Sequence, residues 1–337
     1  MIEGTARQSA FRAATESAFV TELAALTAIH IDGEGAREFL QNQLSSDVYA
    51  LSAGSSQWSS YNSPKGRMLA SLRLWRDSGG SDGFGALTAS DIATSISKRL
   101  AMFVLRAKAR ISNQSMPHAV IGVGGPRAAD VIATTFGISL SPNGASAIAD
   151  GDATAVGLGD GRFVIATTAA RAAALRAEFA AVAVPADEIV WRWLSIRAGL
   201  PLVTAATSDQ FVPQMLNWDV LGGVSFQKGC YPGQEIVARM RYLGRIKERL
   251  YGFHAATDSE PPPGMRVYGS AFGGTSCGTV INAAPAPDGG YGLLAVAQIA
   301  AAEAGALRLG APDGPQLTQV ALPYSVPENE SPRGRLA

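Results

Sequence analysis

The change in hydrophobic pattern near residue 245 constrains the fold of this chain most. Before it, strand-like and helix-like periodicities alternate, whereas beyond it helical periodicity fades. Six short strand-like runs then follow, separated by turns rich in glycine and proline, such as 261–264 and 287–290. Their expected ranges are 249–253, 265–268, 275–281, 291–299, 306–309 and 318–322. This pattern is typical of a small antiparallel β-barrel.

The part before residue 245 contains two cycles of strands and helices. In the first cycle the periodicity predicts strands at 26–31, 56–62, 68–76 and 84–88 and helices at 34–45 and 91–103. In the second it predicts strands at 118–123 and 162–166 and helices at 125–136, 169–181 and 185–199. We therefore expect an α+β protein with two related α+β domains, 15–117 and 118–244, and a C-terminal barrel domain, 245–330. Segments of the first two domains can interleave in the fold. We expect the residues before 15 to form a disordered leader.

Composition and charge exclude several classes of protein. Lys+Arg and Asp+Glu both number 28, so the formal net charge of zero excludes a globally basic nucleic-acid coat. No apolar run approaches the ~18 residues of a membrane span, so we expect no membrane partner. Two cysteines and three histidines without ligand spacing predict neither a disulfide framework nor a metal site. This usage fits a cytoplasmic protein.

The segment 221–239 carries the chemistry of the chain. Four glycines and a proline bracket Cys230, and such glycine density indicates unusual backbone angles or the close approach of another group. Gln234 and Glu235 look like the first turn of a short helix, so Cys230 precedes a helix N-terminus and lies two residues from Lys228. The helix N-terminus and the positive charge of Lys228 both favour the thiolate form of Cys230, which makes a reactive cysteine. A tight structural turn that merely contains a small residue is the alternative interpretation.

The motif Lys-Gly-Cys-Tyr-x-Gly-Gln-Glu at 228–235 resembles the signature of the YgfZ-type folate-binding proteins, the iron–sulfur-linked branch of the glycine-cleavage T-protein family. Further matches cover most of the chain and lie at 39–48, 64–68, 210–214, Asn217, 221–226 and 322–325. The resemblance implies three domains in a ring around a central channel, with tetrahydrofolate as cofactor. It implies a role in iron–sulfur cluster assembly or repair, and through it in tRNA modification by iron–sulfur enzymes. The implied partners are folate, iron–sulfur assembly proteins or client enzymes, and tRNA indirectly.

The resemblance implies a role for two residues, Cys230 and Trp191, and the other site residues are our own prediction. Cys230, with Lys228 beside it, is the residue that the function is expected to need. The expected folate site consists of Asn62, Lys65, Trp191, Arg197, Gly229, Tyr231, Gln234 and Glu235. We expect a central cavity lined by Trp191, Arg197, the turn at 62–66 and the loop that carries Lys228 and Cys230, because the motif glycines let that backbone approach another surface closely. Trp191 falls where members of this branch place a folate-contacting tryptophan, and its flat face suits a pterin; core packing with Trp193 and Leu194 is the alternative.

Two departures from the family pattern concern acidic groups. True aminomethyltransferases carry an acidic pair where this chain reads Arg-Met-Leu-Ala at 67–70, and methionine or leucine cannot replace a general acid or base. Aminomethyl transfer is therefore not expected. The relatives also carry a glutamate where this chain has Arg197, which only donates hydrogen bonds. We expect Arg197 to meet a folate carboxylate or a protein acid.

Two other functions stay open, and with them whether the protein is an enzyme. A tetrahydrofolate-dependent one-carbon (aminomethyl) transferase would need another acid, such as Asp47 or Glu235. An RNA- or protein-binding module would use five basic residues, for which a solvated surface is the structural alternative. These residues are Arg239, Arg241, Arg245, Lys247 and Arg249.

Overall fold

The computed structural model describes residues 2–77, 83–104, 107–112, 118–138, 147–242, 244–269 and 273–327. The chain folds into two compact units. The first comprises Met1–Gln43, Asp47–Trp58 and Leu72–Trp191, and the second Leu44–Ser46, Ser59–Ser71 and Arg192–Ala337. The expected division into three domains stays a prediction. Among the described residues, no helix is long and apolar enough to cross a membrane.

One sheet of the first unit contains six strands in the order β11-β1-β7-β10-β9-β8. These are β1 (Phe19–Glu22), β7 (His118–Gly124), β8 (Ala147–Asp150), β9 (Ala153–Gly157), β10 (Phe163–Thr168) and β11 (Val184–Pro185). All neighbours are antiparallel except β1 and β11. The helices α4 (Ala128–Phe136) and α5 (Ala169–Ala180) contribute Val131, Leu175 and Phe179 to its core. The first strand of the chain thus pairs with strands of the second sequence cycle.

A second sheet has the order β3-β4-β5-β2-β6. Its strands are β2 (Leu26–Asp32), β3 (Ser56–Asn62), β4 (Met68–Arg76), β5 (Phe84–Ala89) and β6 (Arg110–Ser112). The helices of this cycle are α2 (Ala36–Gln43) and α3 (Ser90–Phe103). The turn between β3 and β4 belongs to the second unit. The predicted strands at 56–62 and 68–76 are confirmed.

The C-terminal sheet has six antiparallel strands in the order β16-β13-β14-β15-β12-β17. They are β12 (Glu248–Ala255), β13 (Arg266–Gly269), β14 (Ser276–Pro285), β15 (Tyr291–Gln298), β16 (Leu307–Leu309) and β17 (Leu317–Val320), with α8 (Ile299–Ala304) after β15. A bridge between Arg308 and Gln316 links β16 to the residue before β17, so the sheet curls towards closure. All six predicted strands are confirmed.

The expectation of a disordered leader is wrong. Residues Ile2–Glu16 form the helix α1, which buries Ala10, Phe11, Ala13 and Ala14. These side chains recur at helical spacing, so they lie on one face of the helix. The small size of alanine conceals this apolar face in the sequence.

Two further helices of the second half position the candidate site. The helix α6 (Glu188–Arg197) ends shortly before Gly199, and α7 (Gln234–Tyr242) follows the cysteine motif. A 3₁₀ helix, Pro213–Leu216, lies between them in sequence. Both α-helices agree with the sequence prediction, including the start of α7 at Gln234.

Candidate functional site

Lys228 fixes the cysteine loop of the second unit. Its ammonium group donates hydrogen bonds to the carbonyl oxygens of Leu44 (2.6 Å) and Ser46 (2.9 Å). The same nitrogen lies 5.3 Å from the centroid of the Tyr231 ring. Hydrogen bonds to a charged donor are stronger than neutral ones. The segment 228–231 is therefore held against 44–46.

Ser45 ties the start of the loop to the same segment. Its buried hydroxyl donates to the carbonyl oxygen of Gly223 at 2.6 Å, and its carbonyl oxygen accepts from Ser225 N at 2.8 Å. The amide N–H of Ser60 donates to the Ser45 hydroxyl oxygen at 2.8 Å. Sequence reasoning missed this role, although Ser45 lies in one of the segments that match the family pattern.

The turn at 63–66 packs directly against Gly233. The amide of Gly66 donates to the Ser63 carbonyl oxygen at 2.9 Å, which closes the turn. A Cβ on Gly233 would lie 2.4 Å from Ser63 O and 2.5 Å from Gly66 Cα. Gly233 also has a φ of 77°, which favours glycine. The close approach expected from the glycines is thus present at Gly233.

The other three glycines of the motif differ in how closely other atoms pack against them. A Cβ on Gly223 would overlap the indole of Trp218 at 2.2 Å. At Gly222 and Gly229 it would meet no described atom within 4 Å, although Gly222 has a φ of 75°. The loop is therefore pinned at Gly223 and Gly233, whereas Gly229 is open to the surroundings.

Cys230 is exposed, whereas Cys277 is buried in the barrel core. The neighbouring Tyr231 is buried, and burial raises the pKa of its hydroxyl. Gln234 is half-buried and Glu235 is exposed in the first turn of α7. A free thiol thus lies within reach of other molecules, on a loop whose two flanks are fixed.

Asn62 has an unpartnered side chain at the end of β3. It is 1% exposed, and neither its amide nitrogen nor its amide oxygen has a hydrogen-bond partner among the described residues. A buried polar group without a partner is destabilising. The adjacent Lys65 is exposed. The Asn62 amide therefore has one donor group and one acceptor that no described residue satisfies.

A carboxylate lies beside the 63–66 turn, although residues 67–70, which directly follow the turn, contain none. The Ser63 hydroxyl donates to Asp209 Oδ1 at 2.6 Å, and the Asp209 amide donates to the Met68 carbonyl oxygen at 2.8 Å. Of the acids considered from the sequence, Glu235 is exposed on α7. Asp47, in the first unit, accepts hydrogen bonds from Gln41 and from the amide of Tyr49. Asp209 comes from a distant segment, so no local pattern indicated it.

Arg197 lies on the second unit beside the barrel. Its guanidinium carbon is 5.5 Å from the centroid of the Trp193 ring. Both residues line a cavity of about 150 Å³ together with His254 and Asp288. Arg197 is exposed and makes no hydrogen bond to another described residue. Its expected meeting with a carboxylate stays a prediction.

Trp191 lies in the interior of the first unit and is 4% exposed. The guanidinium carbon of Arg162 is 4.7 Å from the ring centroid, and a Cβ on Gly122 would lie 2.6 Å from the ring. The tryptophan therefore packs against Gly122 and Arg162. Its contact with folate stays a prediction.

Arg249 does not belong to the basic surface that the sequence suggested. It is 4% exposed and donates to both carboxylate oxygens of Asp219, at 2.7 and 3.1 Å, and to the Gln214 carbonyl oxygen at 2.7 Å. Asn217 donates to the Leu250 carbonyl oxygen at 3.0 Å. The family-like residues Gln214 and Asn217 thus anchor the first strand of the barrel.

Tyr324, in another segment that matches the family pattern, caps the end of α6. Its hydroxyl donates to the Gly199 carbonyl oxygen at 2.7 Å, and burial is the main cause that raises its pKa to about 12. A Cβ on Gly199, whose φ is 65°, would lie 2.7 Å from this ring. The tyrosine therefore fixes the chain just after Arg197.

Two known proteins are similar in sequence to this chain over most of its length. The chain is 30% identical over 316 residues to the tRNA-modifying protein YgfZ of Edwardsiella ictaluri, covering 90% of this chain and 91% of that protein. It is 32% identical over 307 residues to the protein of the same name from Serratia proteamaculans, with the same coverage of both chains. No protein-family model matches the chain.

Among solved structures, the glycine cleavage system aminomethyltransferase T from Bartonella henselae is similar. The TM-score is 0.72 at 18% identity, and the match covers 87% of this chain and 81% of that chain. A likeness at this identity shows the fold, which is the T-protein fold expected from the sequence. The described residues contain no group of three or more side chains that could hold a metal ion.

Proposed function

Because this chain belongs to the YgfZ family, we propose that it is a folate-binding accessory protein that supports tRNA modification by iron–sulfur enzymes. The observation that carries the proposal is the exposed thiol of Cys230 on a loop that Lys228 fixes to Leu44 and Ser46. A fixed loop presents the thiol to a partner in one orientation. The relatives named tRNA-modifying proteins supply the biological setting.

The thiol is the group expected to act. A thiolate is a nucleophile and a soft ligand for iron. Cys230 is a single thiol, so we infer that it acts on a cluster carried by a partner protein. Lys228 holds the loop, and its ammonium group lies over the buried ring of Tyr231.

The residues near the turn fit a folate. The pterin ring carries donors and acceptors side by side, and the unpartnered amide of Asn62 offers both. Lys65, Gly229, Gln234 and Glu235 remain candidate contacts. Tetrahydrofolate, when bound, supplies a carrier of one-carbon units. The part assigned to this chain is to hold that carrier through Asn62.

An aminomethyltransferase is the second candidate function. The observation that favours it is Asp209, whose carboxylate lies against Ser63 of the turn. This acid could take the place of the acidic pair that is missing at 67–70. Pure protein incubated with tetrahydrofolate and the glycine-cleavage partner proteins distinguishes the two functions. Methylene transfer that disappears in Asp209→Asn would favour the enzyme.

The main proposal is tested in a strain that lacks the gene for this protein. We expect lower levels of the tRNA nucleosides that iron–sulfur enzymes produce, measured by mass spectrometry of hydrolysed tRNA. The intact gene should restore them, and tRNA modifications made by other enzymes should not change. Unchanged iron–sulfur-dependent modification in the deletion strain would overturn the proposal.

A further inference from the structure

An arginine contacts two aromatic rings just before and after the cysteine motif. The guanidinium carbon of Arg241 lies 4.1 Å from the centroid of the Phe226 ring and 5.8 Å from that of Tyr242. The two rings are 6.3 Å apart at an angle of 80°. Tyr242 is 56% exposed and Phe226 is half-buried. This arrangement leaves a large flat ring and an arginine plane open on the surface.

Three further cations lie in the same stretch. Arg239, Arg245 and Lys247 are all exposed. Among the described residues, none of them forms an ion pair or a hydrogen bond through its side chain. In contrast, Arg249 is buried and neutralised by Asp219. The basic-aromatic surface is therefore defined by Phe226, Arg239, Arg241, Tyr242, Arg245 and Lys247.

We propose that this basic-aromatic surface binds single-stranded RNA. Aromatic rings and arginine planes stack on bases, and flanking cations contact phosphates. The proposal rests on the function proposed above, for which it names RNA as a direct partner. An acidic protein surface would also be attracted by the cations. The open ring of Tyr242 favours RNA, because a base adds stacking to the charge interaction.

Binding is measured by fluorescence anisotropy with a labelled single-stranded RNA of about 12 nucleotides, using the whole chain without folate. Each phosphate contact to a single strand contributes a slope of about −0.7 in log K against log salt. Four cations should therefore give a slope of about −2 to −3. Arg245→Gln and Lys247→Gln should each reduce the slope.

Stacking is tested by Tyr242→Ala, which should weaken RNA binding by about tenfold with little change in the salt slope. The matched control is Tyr49→Ala in the first unit. Tyr49 is also exposed (52%) and also lies under an arginine, Arg37. The control should bind RNA as the unchanged protein does.

Two results would overturn the proposal. One is the absence of RNA binding at low salt. The other is equal binding of a polyglutamate peptide of the same length, unaffected by Tyr242→Ala, which would assign the surface to an acidic protein. Either result would leave the proposed function standing if the intact gene still restores tRNA modification in the deletion strain.

Discussion

Gly233 packs against Gly66 backbone to backbone, and this contact joins the cysteine motif to the turn after β3. A Cβ on Gly233 would lie 2.5 Å from Gly66 Cα, and one on Gly66 would lie 3.0 Å from Gly233 O. Both glycines have positive φ angles. The family-like segments at 64–68 and 228–235 thus meet in the second unit.

Gly233→Ala should therefore lower the free energy of unfolding more than the backbone angle alone explains. A left-handed alanine costs about 1–2 kcal/mol, and overlap with Ser63 O adds to this. Urea unfolding measures the stability of Gly233→Ala, Gly222→Ala and Gly229→Ala. Gly222 has a positive φ but no atom close enough to overlap a Cβ, and Gly229 has neither a positive φ nor a close atom. The expected order of stability loss is Gly233, Gly222, Gly229. Equal losses at Gly233 and Gly222 would refute the packing argument.

Asn62→Leu should weaken folate binding without lowering the stability of the free protein. The substitution removes a buried amide that has no partner, and we expect a stability gain of about 1 kcal/mol. Asn217→Leu is the matched control, because the Asn217 amide donates to Leu250 O. The Asn217→Leu variant should lose about 2–4 kcal/mol of stability. This loss includes the strain of a leucine in the left-handed backbone conformation of residue 217. Calorimetric titration measures the folate binding of each variant, and urea unfolding measures its stability. A large stability loss in Asn62→Leu would show that its amide has a partner.

Asp219→Asn should destabilise the protein by about 3–5 kcal/mol, because it leaves the buried charge of Arg249 without its carboxylate. The exposed pair of Arg127 and Asp130 provides the comparison. Asp130→Asn should change the stability by less than about 1 kcal/mol. Thermal unfolding of both variants is the measurement. Similar effects would mean that Arg249 does not depend on Asp219.

Tyr324 should make stability depend on pH in the alkaline range. Burial is the main cause that raises the pKa of the Tyr324 hydroxyl in the folded protein to about 12, from about 10 for an exposed tyrosine. The stabilising contribution is therefore fully present below pH 10 and is lost as the pH rises towards 12. Tyr324→Phe should be less stable than the unchanged protein below pH 10, and the difference should shrink above it. A constant difference from pH 8 to pH 12 would contradict the burial of this hydroxyl.

The sequence predicted the elements of the fold better than their long-range pairing. The six barrel strands and the helix from Gln234 follow from local periodicity and turn residues. The pairing of β1 with β7 joins segments about a hundred residues apart, and periodicity carries no information on such contacts. The helix α1 was missed because its buried face consists mainly of alanine.

A short motif marks the cysteine loop in the sequence. Cys230 and Lys228 stand in one short segment, and the hydrogen bonds of Lys228 to Leu44 and Ser46 depend on a separate segment that the motif does not include. Asp209 beside Ser63 and Asp219 beside Arg249 depend on how separate segments pack, and the alternate spacing of basic residues did not show that Arg249 is buried. Charge alone cannot tell a paired interior arginine from an exposed one.

The central claim is that the protein acts through the thiol of Cys230, and a substitution comparison in the deletion strain tests it most directly. Cys230→Ala and Cys277→Ala are each expressed there, with folding checked by urea unfolding of the pure proteins. We expect iron–sulfur-dependent tRNA modification to be restored by Cys277→Ala but not by Cys230→Ala. Equal restoration by both variants would contradict the claim.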